Sequence, residues 1–166
     1  MRNKKVTMIT QAAMIAAIYI VLTLLANALG LANYAIQVRF SEALTILPYF
    51  TRAAIPGLFV GCLLSNLITG CMPLDVIFGS LATLIGALGT YALCKNQKHK
   101  WLAPLPPIIA NMIIVPFILA YVYQFEGSIL FFAITVGIGE VISCGVLGML
   151  NLFTLRKYTS KIFTVE

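Results

Sequence analysis

Ionisable side chains are scarce in this sequence. Only 10% of its 166 residues are charged, and just five of them are Asp or Glu. Soluble domains carry about 25% charged residues, so the composition argues against a water-soluble fold. Apolar residues fill the chain instead: 61% are hydrophobic, and the mean hydropathy is +1.00. We therefore expect residues 1–166 to form a single integral membrane domain in the lipid bilayer.

Motifs of catalysis are missing too. There is no GxxxxGK(S/T) phosphate loop, no HExxH helix and no GxSxG nucleophile elbow. These absences argue against ATP hydrolysis by a known motif and against a membrane protease or esterase. The sole histidine, His99, lies in a basic loop without a second ligand nearby, and the four cysteines lack metal or redox spacing. We expect no enzymatic activity, no metal and no cofactor.

Long apolar runs predict six transmembrane helices, and hence an all-α bundle. The approximate ranges are 7–29, 40–50, 54–69, 75–94, 104–124 and 128–155. The first run follows a basic start that resembles a signal peptide, but the run is too long for one. The second and third helices share about 30 residues where two full crossings need about 40. This hairpin is therefore either thin or partly re-entrant, and the charge distribution favours six crossings.

Basic residues fall on one side of this arrangement, and Arg39 alone lies on the other. Those on the first side are Arg2, Lys4, Lys5, Arg52, Lys95, Lys98, Lys100, Arg156, Lys157 and Lys161. Cytoplasmic loops carry such an excess, so both termini are expected in the cytoplasm. The net charge of +6 then needs no nucleic-acid partner. The outer side holds Arg39, Asp75 and Glu126, with Glu42 just below it.

Arg39 and Glu42 interrupt an otherwise uncharged region. They follow an uncharged run of about 33 residues and are three apart, so on a helix they share a face. A carboxylate at a membrane boundary costs on the order of a few kcal/mol unless it is paired or hydrated. This stretch is therefore either a structural ion pair or the mouth of a binding site.

Further polar residues lie within the predicted helices. Glu140 lies about 18 Å from the start of the last helix at about 1.5 Å per residue, near mid-membrane. A carboxylate there needs a partner, which is Arg39, a hydrogen bond to its protonated form, or a ligand. Asn111 and Asn66 either join helices or contact a ligand. Asp75 is placed to cap the fourth helix and is also a candidate ligand contact.

Small residues four apart follow the first helix. Ala12 pairs with Ala16, and Ala13 pairs with Ala17. Such pairs form a flat strip that another helix can approach closely. The strip serves either packing against the protein's own helices or docking of another subunit.

Four segments carry a resemblance to a known family: VRFSEALTILPYFTRAAIPGLFVGCLLSNL, PLDVIFGSLATLIGAL, WLAPLPPIIANMIIV and VGIGEVISCGVLG, in that order. They resemble the QueT family, transporters of queuosine precursors that act as substrate-binding (S) components of energy-coupling-factor (ECF) transporters. The resemblance implies six helices, cytoplasmic termini and an outward-facing site. It also implies that the strip of Ala12, Ala13, Ala16 and Ala17 docks on a transmembrane T component. Two ATPases complete the implied complex, and the S component topples in the bacterial cell membrane to deliver its cargo.

With this resemblance, the acids and amides indicate a nucleobase-like ligand. A guanine-like edge offers an N–H and an adjacent amino group, and one carboxylate can accept both. One acid, Glu140 or Glu42, would take that edge, the other would meet an ammonium group, and an amide would read the ring carbonyl. The full candidate set is Glu140, Glu42, Asn111, Arg39, Asn66 and Asp75.

Two other functions fit the same residues. In the first, the fold is unchanged and the ligand is a different vitamin or purine. In the second, the chain is a self-standing ion-coupled carrier that uses Glu140 as its relay.

Overall fold

The structure is a computed structural model that describes residues 4–31, 37–94 and 99–158. This described part of the chain is helical and contains no strand, which confirms the predicted all-α fold. Its helices are α1 (Lys4–Ala28), α2 (Ala54–Ile68), α3 (Pro73–Leu93), α4 (Leu105–Phe117), α5 (Ile129–Glu140) and α6 (Gly148–Arg156). Two π-helical segments extend α4 and join α5 to α6; they are Ile118–Val122 and Val141–Leu147.

Four helical segments are long and apolar enough to cross a membrane. They are Lys4–Ala28, Pro73–Leu93, Lys100–Val122 and Ile129–Arg156, and α2 is a shorter apolar helix. Large apolar side chains such as Ile9 and Leu130 are exposed on the outside of the bundle. Lipid solvates such side chains while helices satisfy their own backbone hydrogen bonds, so the bundle suits a multi-pass membrane protein.

The predicted second helix, residues 40–50, is not an α-helix, and that prediction is wrong. The segment forms two 3-10 helices, Phe40–Leu44 and Leu47–Tyr49. Pro48 lies in the second of these and has no backbone N–H to donate to a regular α-helix. Residues 41–49 are all buried, so the segment runs inside the bundle and faces no lipid.

This buried segment nevertheless passes along much of the bundle. At one end, Arg39 and Thr23 of α1 line the same cavity. At the other end, Thr51 donates a hydrogen bond of 3.4 Å to Gln11, near the start of α1. Gln11 and Thr23 lie about 18 Å apart along α1 at about 1.5 Å per residue. A 3-10 helix rises about 2.0 Å per residue, so the chain from 39 to 51 is long enough to cover this distance.

Helices α1 and α2 pack closely through small residues. A Cβ added to Gly61 would lie 3.1 Å from Cα of Ala16, and one on the α2 glycine one turn earlier would lie 2.7 Å from the carbonyl oxygen of Ala12. Ala13 and Ala17 are exposed on α1. One pair of the alanine strip therefore packs inside the chain, and the other pair is open to a neighbour.

Aromatic rings hold basic side chains where α4 begins and α6 ends, at the end of the bundle where α1 also begins. The ammonium of Lys100 lies 5.5 Å from the ring of Trp101 and 5.4 Å from that of Phe153, and the guanidinium of Arg52 lies 5.4 Å from the ring of Tyr91. These contacts place described basic residues together at one end, as expected of a cytoplasmic face. The cytoplasmic placement itself remains a prediction. Arg2, Lys95, Lys98 and Lys161 lie outside the described residues.

Candidate functional site

A cavity of about 640 Å³ lies at the opposite end, where α1, α2 and α4 finish and α3 and α5 begin. Small-molecule sites usually measure about 300–1,000 Å³, so the cavity can hold a metabolite. Three of the predicted site residues, Arg39, Asn66 and Asp75, line it. The other three, Glu42, Glu140 and Asn111, are buried and are not among its lining residues.

Asp75 is a cavity residue and not the N-cap of α3, so the predicted cap is wrong. The helix begins at Pro73 after Met72, which forms no side-chain cap bond, and Asp75 lies in the first turn. Its Oδ2 accepts a hydrogen bond of 2.8 Å from the hydroxyl of Tyr123. Its Oδ1 has no hydrogen-bond partner among the described residues and is available to a ligand.

Arg39 brings a guanidinium to the same cavity. Its backbone N–H donates to Oγ of Ser143 at 3.1 Å, and its Nη2 donates to Oε1 of Gln37 at 3.3 Å. Neither Glu42 nor Glu140 forms an ion pair with it within the described residues, so the structural pairs left open by the sequence are not formed. A guanidinium has five N–H donors, so those of Arg39 that remain can bind an acceptor atom of a ligand.

Asn66 stands beside Asp75 in the cavity wall. A Cβ added to Gly79 would lie 3.1 Å from Oδ1 of Asp75 and 3.3 Å from Nδ2 of Asn66. Glycine at this position therefore leaves room for the amide and the carboxylate. Nδ2 of Asn66 also lies 3.6 Å from Sγ of Cys62, a weak acceptor.

Glu42 and Glu140 come together in a second, buried polar cluster with Cys144. One oxygen of each carboxylate and the sulfur of Cys144 all lie within 4.8 Å of one another. Tyr19 donates a hydrogen bond to Oε1 of Glu42, Sγ of Cys144 donates to Oε2 of Glu140 at 3.1 Å, and the side chain of Asn111 lies beside Glu140. Oε2 of Glu42 has no partner within the described residues.

The polar cluster lies about one helical turn deeper than the cavity. On α1 and α4, Tyr19 and Asn111 come four residues before the lining residues Thr23 and Val115. On α5, Glu140 follows the lining part of the helix by about one turn. Four residues of an α-helix span about 6 Å, so the cluster forms a polar layer beneath the cavity floor.

Gly139 and Gly137, beside Glu140 on α5, provide close packing. A Cβ on Gly139 would clash with the carbonyl oxygen of Gln37, and one on Gly137 would lie 2.9 Å from Sδ of Met112. The contact at Gly139 lets the segment 37–39 cross α5, and so it positions Arg39 at the cavity.

Several residues that line the cavity were not among the predicted site residues. From the sequence alone, Tyr123 is interpreted as an aromatic residue at the membrane interface, and Glu126 as a solvated charge in a loop. Both residues line the cavity. The sequence of the first helix does contain a pattern that indicates cavity residues. Tyr19, Thr23 and Asn27 recur every four residues, which puts three polar side chains on one face of an apolar helix. Thr23 and Asn27 line the cavity, and Tyr19 reaches the cluster beneath it.

A comparison with known proteins shows the family to which this chain belongs. A family model described as QueT transporter matches residues 9–157. Over 85 residues the chain is 33% identical to a protein named Queuosine precursor transporter QueT from Lactococcus lactis subsp. cremoris, a match that covers 51% of this chain and 50% of that relative. The match thus spans half the length of the curated relative. No solved structure matches the chain significantly. The family model confirms the resemblance seen in the sequence: the chain belongs to the QueT transporter family.

Proposed function

We propose that this protein is the S component of an ECF importer in the bacterial cell membrane and captures a queuosine precursor. The ligand class is a deazaguanine such as queuine or aminomethyl-deazaguanine. The observation that carries the proposal is the cavity of about 640 Å³, whose wall combines a guanidinium with a buried carboxylate. Membership of the QueT family and the name of the Lactococcus relative support this ligand class.

Asp75 and Arg39 offer complementary hydrogen-bonding groups on one cavity. A guanine-like ring presents a donor edge, made of an N–H and an amino group, and a carbonyl acceptor. Asp75 accepts from the donor edge, Arg39 donates to the carbonyl, and the amide of Asn66 adds a contact beside Asp75. Charge-assisted bonds of this kind are strong. A base without matching groups would leave these wall groups unpaired, so the pairing discriminates between ligands.

Glu42, Glu140 and Asn111 form a second candidate set, beneath the cavity floor. In this arrangement one acid takes the donor edge, the other meets an ammonium group, and Asn111 reads the ring carbonyl. The cavity would have to deepen by about 6 Å, one helical turn, for the ligand to reach them. The unpartnered Oε2 of Glu42 supports the arrangement, because a buried acceptor without a partner is destabilising and a ligand donor would satisfy it.

Binding of a labelled deazaguanine to the purified protein in detergent tests both sets. If the wall set is the site, Asp75→Asn and Arg39→Gln each weaken binding about tenfold or more, and Glu140→Gln and Glu42→Gln do not. If the deeper set is the site, Glu140→Gln and Glu42→Gln weaken binding, and Asp75→Asn and Arg39→Gln do not. Wild-type affinity in all four variants would exclude both sets, and a wild-type protein that binds no deazaguanine would exclude the ligand class.

ATP-driven delivery of the ligand needs partners, because this sequence has no phosphate loop of its own. The proposed partners are a T component and two ATPases, on which the S component reorients. Exposed Ala13 and Ala17 support a docking face on α1. The basic residues at the end opposite the cavity support cytoplasmic termini and an outward-facing cavity. Copurification with these partners, and uptake that is lost when they are removed, tests the assignment.

The buried acid pair favours a second candidate function. Glu42 and Glu140 each place an oxygen within 4.8 Å of the other, and acids inside a membrane often relay protons. In this candidate the chain is a self-standing ion-coupled carrier. Proteoliposomes that contain this chain alone separate the two: uptake driven by an ion gradient supports the carrier, and uptake only with the ATPases supports the importer.

The ligand itself has an alternative within the same architecture, namely a different vitamin or purine. Thermal-shift screening of the purified protein against queuine, its precursors and the B vitamins distinguishes them. Stabilisation by a deazaguanine at the lowest concentration supports the proposal, because stabilisation of the folded state grows with the logarithm of the ligand concentration divided by Kd, so a tighter ligand acts at a lower concentration.

A further inference from the structure

Among the described residues, acidic side chains outnumber basic ones in the cavity wall. Asp75 and Glu126 are acidic and Arg39 is basic, and no other charged side chain lines the cavity within the described residues. One positive and two negative groups give the described wall a net charge of −1. Residues 32–36, which lie outside the described ranges, contain no charged side chain in the sequence and do not change this sum.

Glu126 is the wall carboxylate that has no partner. Asp75 accepts a hydrogen bond from Tyr123, and Arg39 donates one to Gln37. Glu126 is exposed, and it forms no hydrogen bond or ion pair with any described residue. An unpaired carboxylate in a cavity whose described wall carries a net negative charge attracts a cation from solution.

The polar cluster beneath the cavity floor does not oppose the binding of a cation. An ionised Glu42 or Glu140 would add negative charge behind the cavity, and protonated forms would add none. The cavity therefore favours a cation for every combination of protonation states in that cluster.

Aromatic rings line the same cavity as Glu126. The rings of Tyr123 and Phe125 stack with centroids 5.6 Å apart and planes 19° apart, and Phe131 and Phe132 also line the cavity. Ring faces attract ammonium groups through their quadrupole. A carboxylate among such rings is a chemical set that suits an alkylammonium.

We propose that the cavity selects an amine-bearing, monocationic base over its neutral analogue, and that Glu126 is the specificity-determining residue that meets the ammonium at the mouth. This inference rests on the proposed function, because it assumes that the ring of a base lies between Asp75 and Arg39. The ring contacts are common to the cationic and the neutral ligand. The contact with Glu126 is available to the cation alone, so it sets the preference between them.

Isothermal titration of the purified protein with two matched ligands tests this inference. The ligands are 7-aminomethyl-7-deazaguanine, which is cationic near neutral pH, and 7-methyl-7-deazaguanine, which is neutral. The wild type should bind the amine about three- to fivefold more tightly, the upper range for an ion pair with an exposed carboxylate. Glu126→Gln should bring the two affinities within about twofold of each other, and Glu126→Asp, which keeps the charge, should retain most of the preference.

The outcomes separate this inference from the proposed function. Arg39→Gln should weaken both ligands while the amine remains preferred, because its contact is with the ring. Equal wild-type affinities, or an undiminished preference in Glu126→Gln, would overturn the inference and leave capture of a deazaguanine intact. A wild type that binds neither ligand would overturn both. Because Glu126 is exposed in a loop, the melting temperature of its variants should match that of the wild type.

Discussion

The hydroxyl of Tyr123 lies 2.8 Å from Oδ2 of Asp75, and this hydrogen bond ties the end of the π-helical extension of α4 to the first turn of α3. The same hydroxyl accepts a hydrogen bond of 3.3 Å from the backbone N–H of Met72. Burial and then the hydrogen bond with Asp75 raise the pKa of the Tyr123 hydroxyl, so it remains protonated and donates at neutral pH. One oxygen of Asp75 is thus held in place while the other remains available in the cavity.

Removing this hydroxyl should weaken ligand binding without unfolding the protein. In Tyr123→Phe the ring remains stacked on Phe125, but Asp75 loses the donor that orients it. A hydrogen bond to a charged group contributes about 1.5–3 kcal/mol, so the affinity for a deazaguanine should fall about tenfold or more. Titration calorimetry measures this loss. Tyr121→Phe is the matched control, because Tyr121 is exposed and its ring stacks on Phe117; a similar loss there would contradict the assignment.

A methyl group on Gly139 should displace the segment that carries Arg39. The added Cβ would clash with the carbonyl oxygen of Gln37, and the hydrogen bond from Arg39 N–H to Ser143 would stretch. Overpacking of this kind destabilises by about 1–3 kcal/mol, so Gly139→Ala should lower both the melting temperature and the ligand affinity. Gly145→Ala is the control. Its Cβ would meet nothing closer than 3.7 Å, so wild-type values are expected for it.

Tyr19 should matter for stability through Glu42. Tyr19→Phe would leave the Glu42 carboxylate without its only side-chain donor among the described residues, because Oε2 already lacks a partner. An unsatisfied buried group costs about 1–3 kcal/mol, so the melting temperature in detergent should fall. Glu42→Gln keeps an acceptor for Tyr19 and removes the buried acid, so it should be at least as stable as the wild type. An unchanged melting temperature in Tyr19→Phe would show that this bond does not support the fold.

Much of the site was predictable because the chain has so few polar groups. Arg39, Asn66 and Asp75 stand out in an apolar sequence, and each must find a polar environment when the helices pack. Three such residues on different segments therefore converge on one cavity. Glu42 and Glu140 converge for the same reason, on a buried cluster one turn deeper.

The rest depended on contacts between distant parts of the chain. Tyr123 and Asp75 are 48 positions apart, and nothing local distinguishes this tyrosine from one at the lipid interface. The 3-10 helices of residues 40–50 were missed because hydrophobicity alone does not separate a short buried helix from a membrane span. The short length of this segment was the available signal that it is not a membrane-spanning α-helix, because such a helix needs about 20 residues.

The exposed pair of the alanine strip should control docking without controlling folding. Ala13→Leu places a large side chain on the open face of α1, so it should block close approach of a T-component helix and abolish copurification of the partners. Its free energy of unfolding should stay within about 0.5 kcal/mol of the wild-type value, as for most surface changes. Ala16→Leu is the matched contrast. Ala16 is 7% exposed and its Cα would lie 3.1 Å from a Cβ on Gly61, so the larger side chain should force α1 and α2 apart and lower the melting temperature. Unimpaired copurification of Ala13→Leu with a T component would mean that the partner binds another face of the bundle.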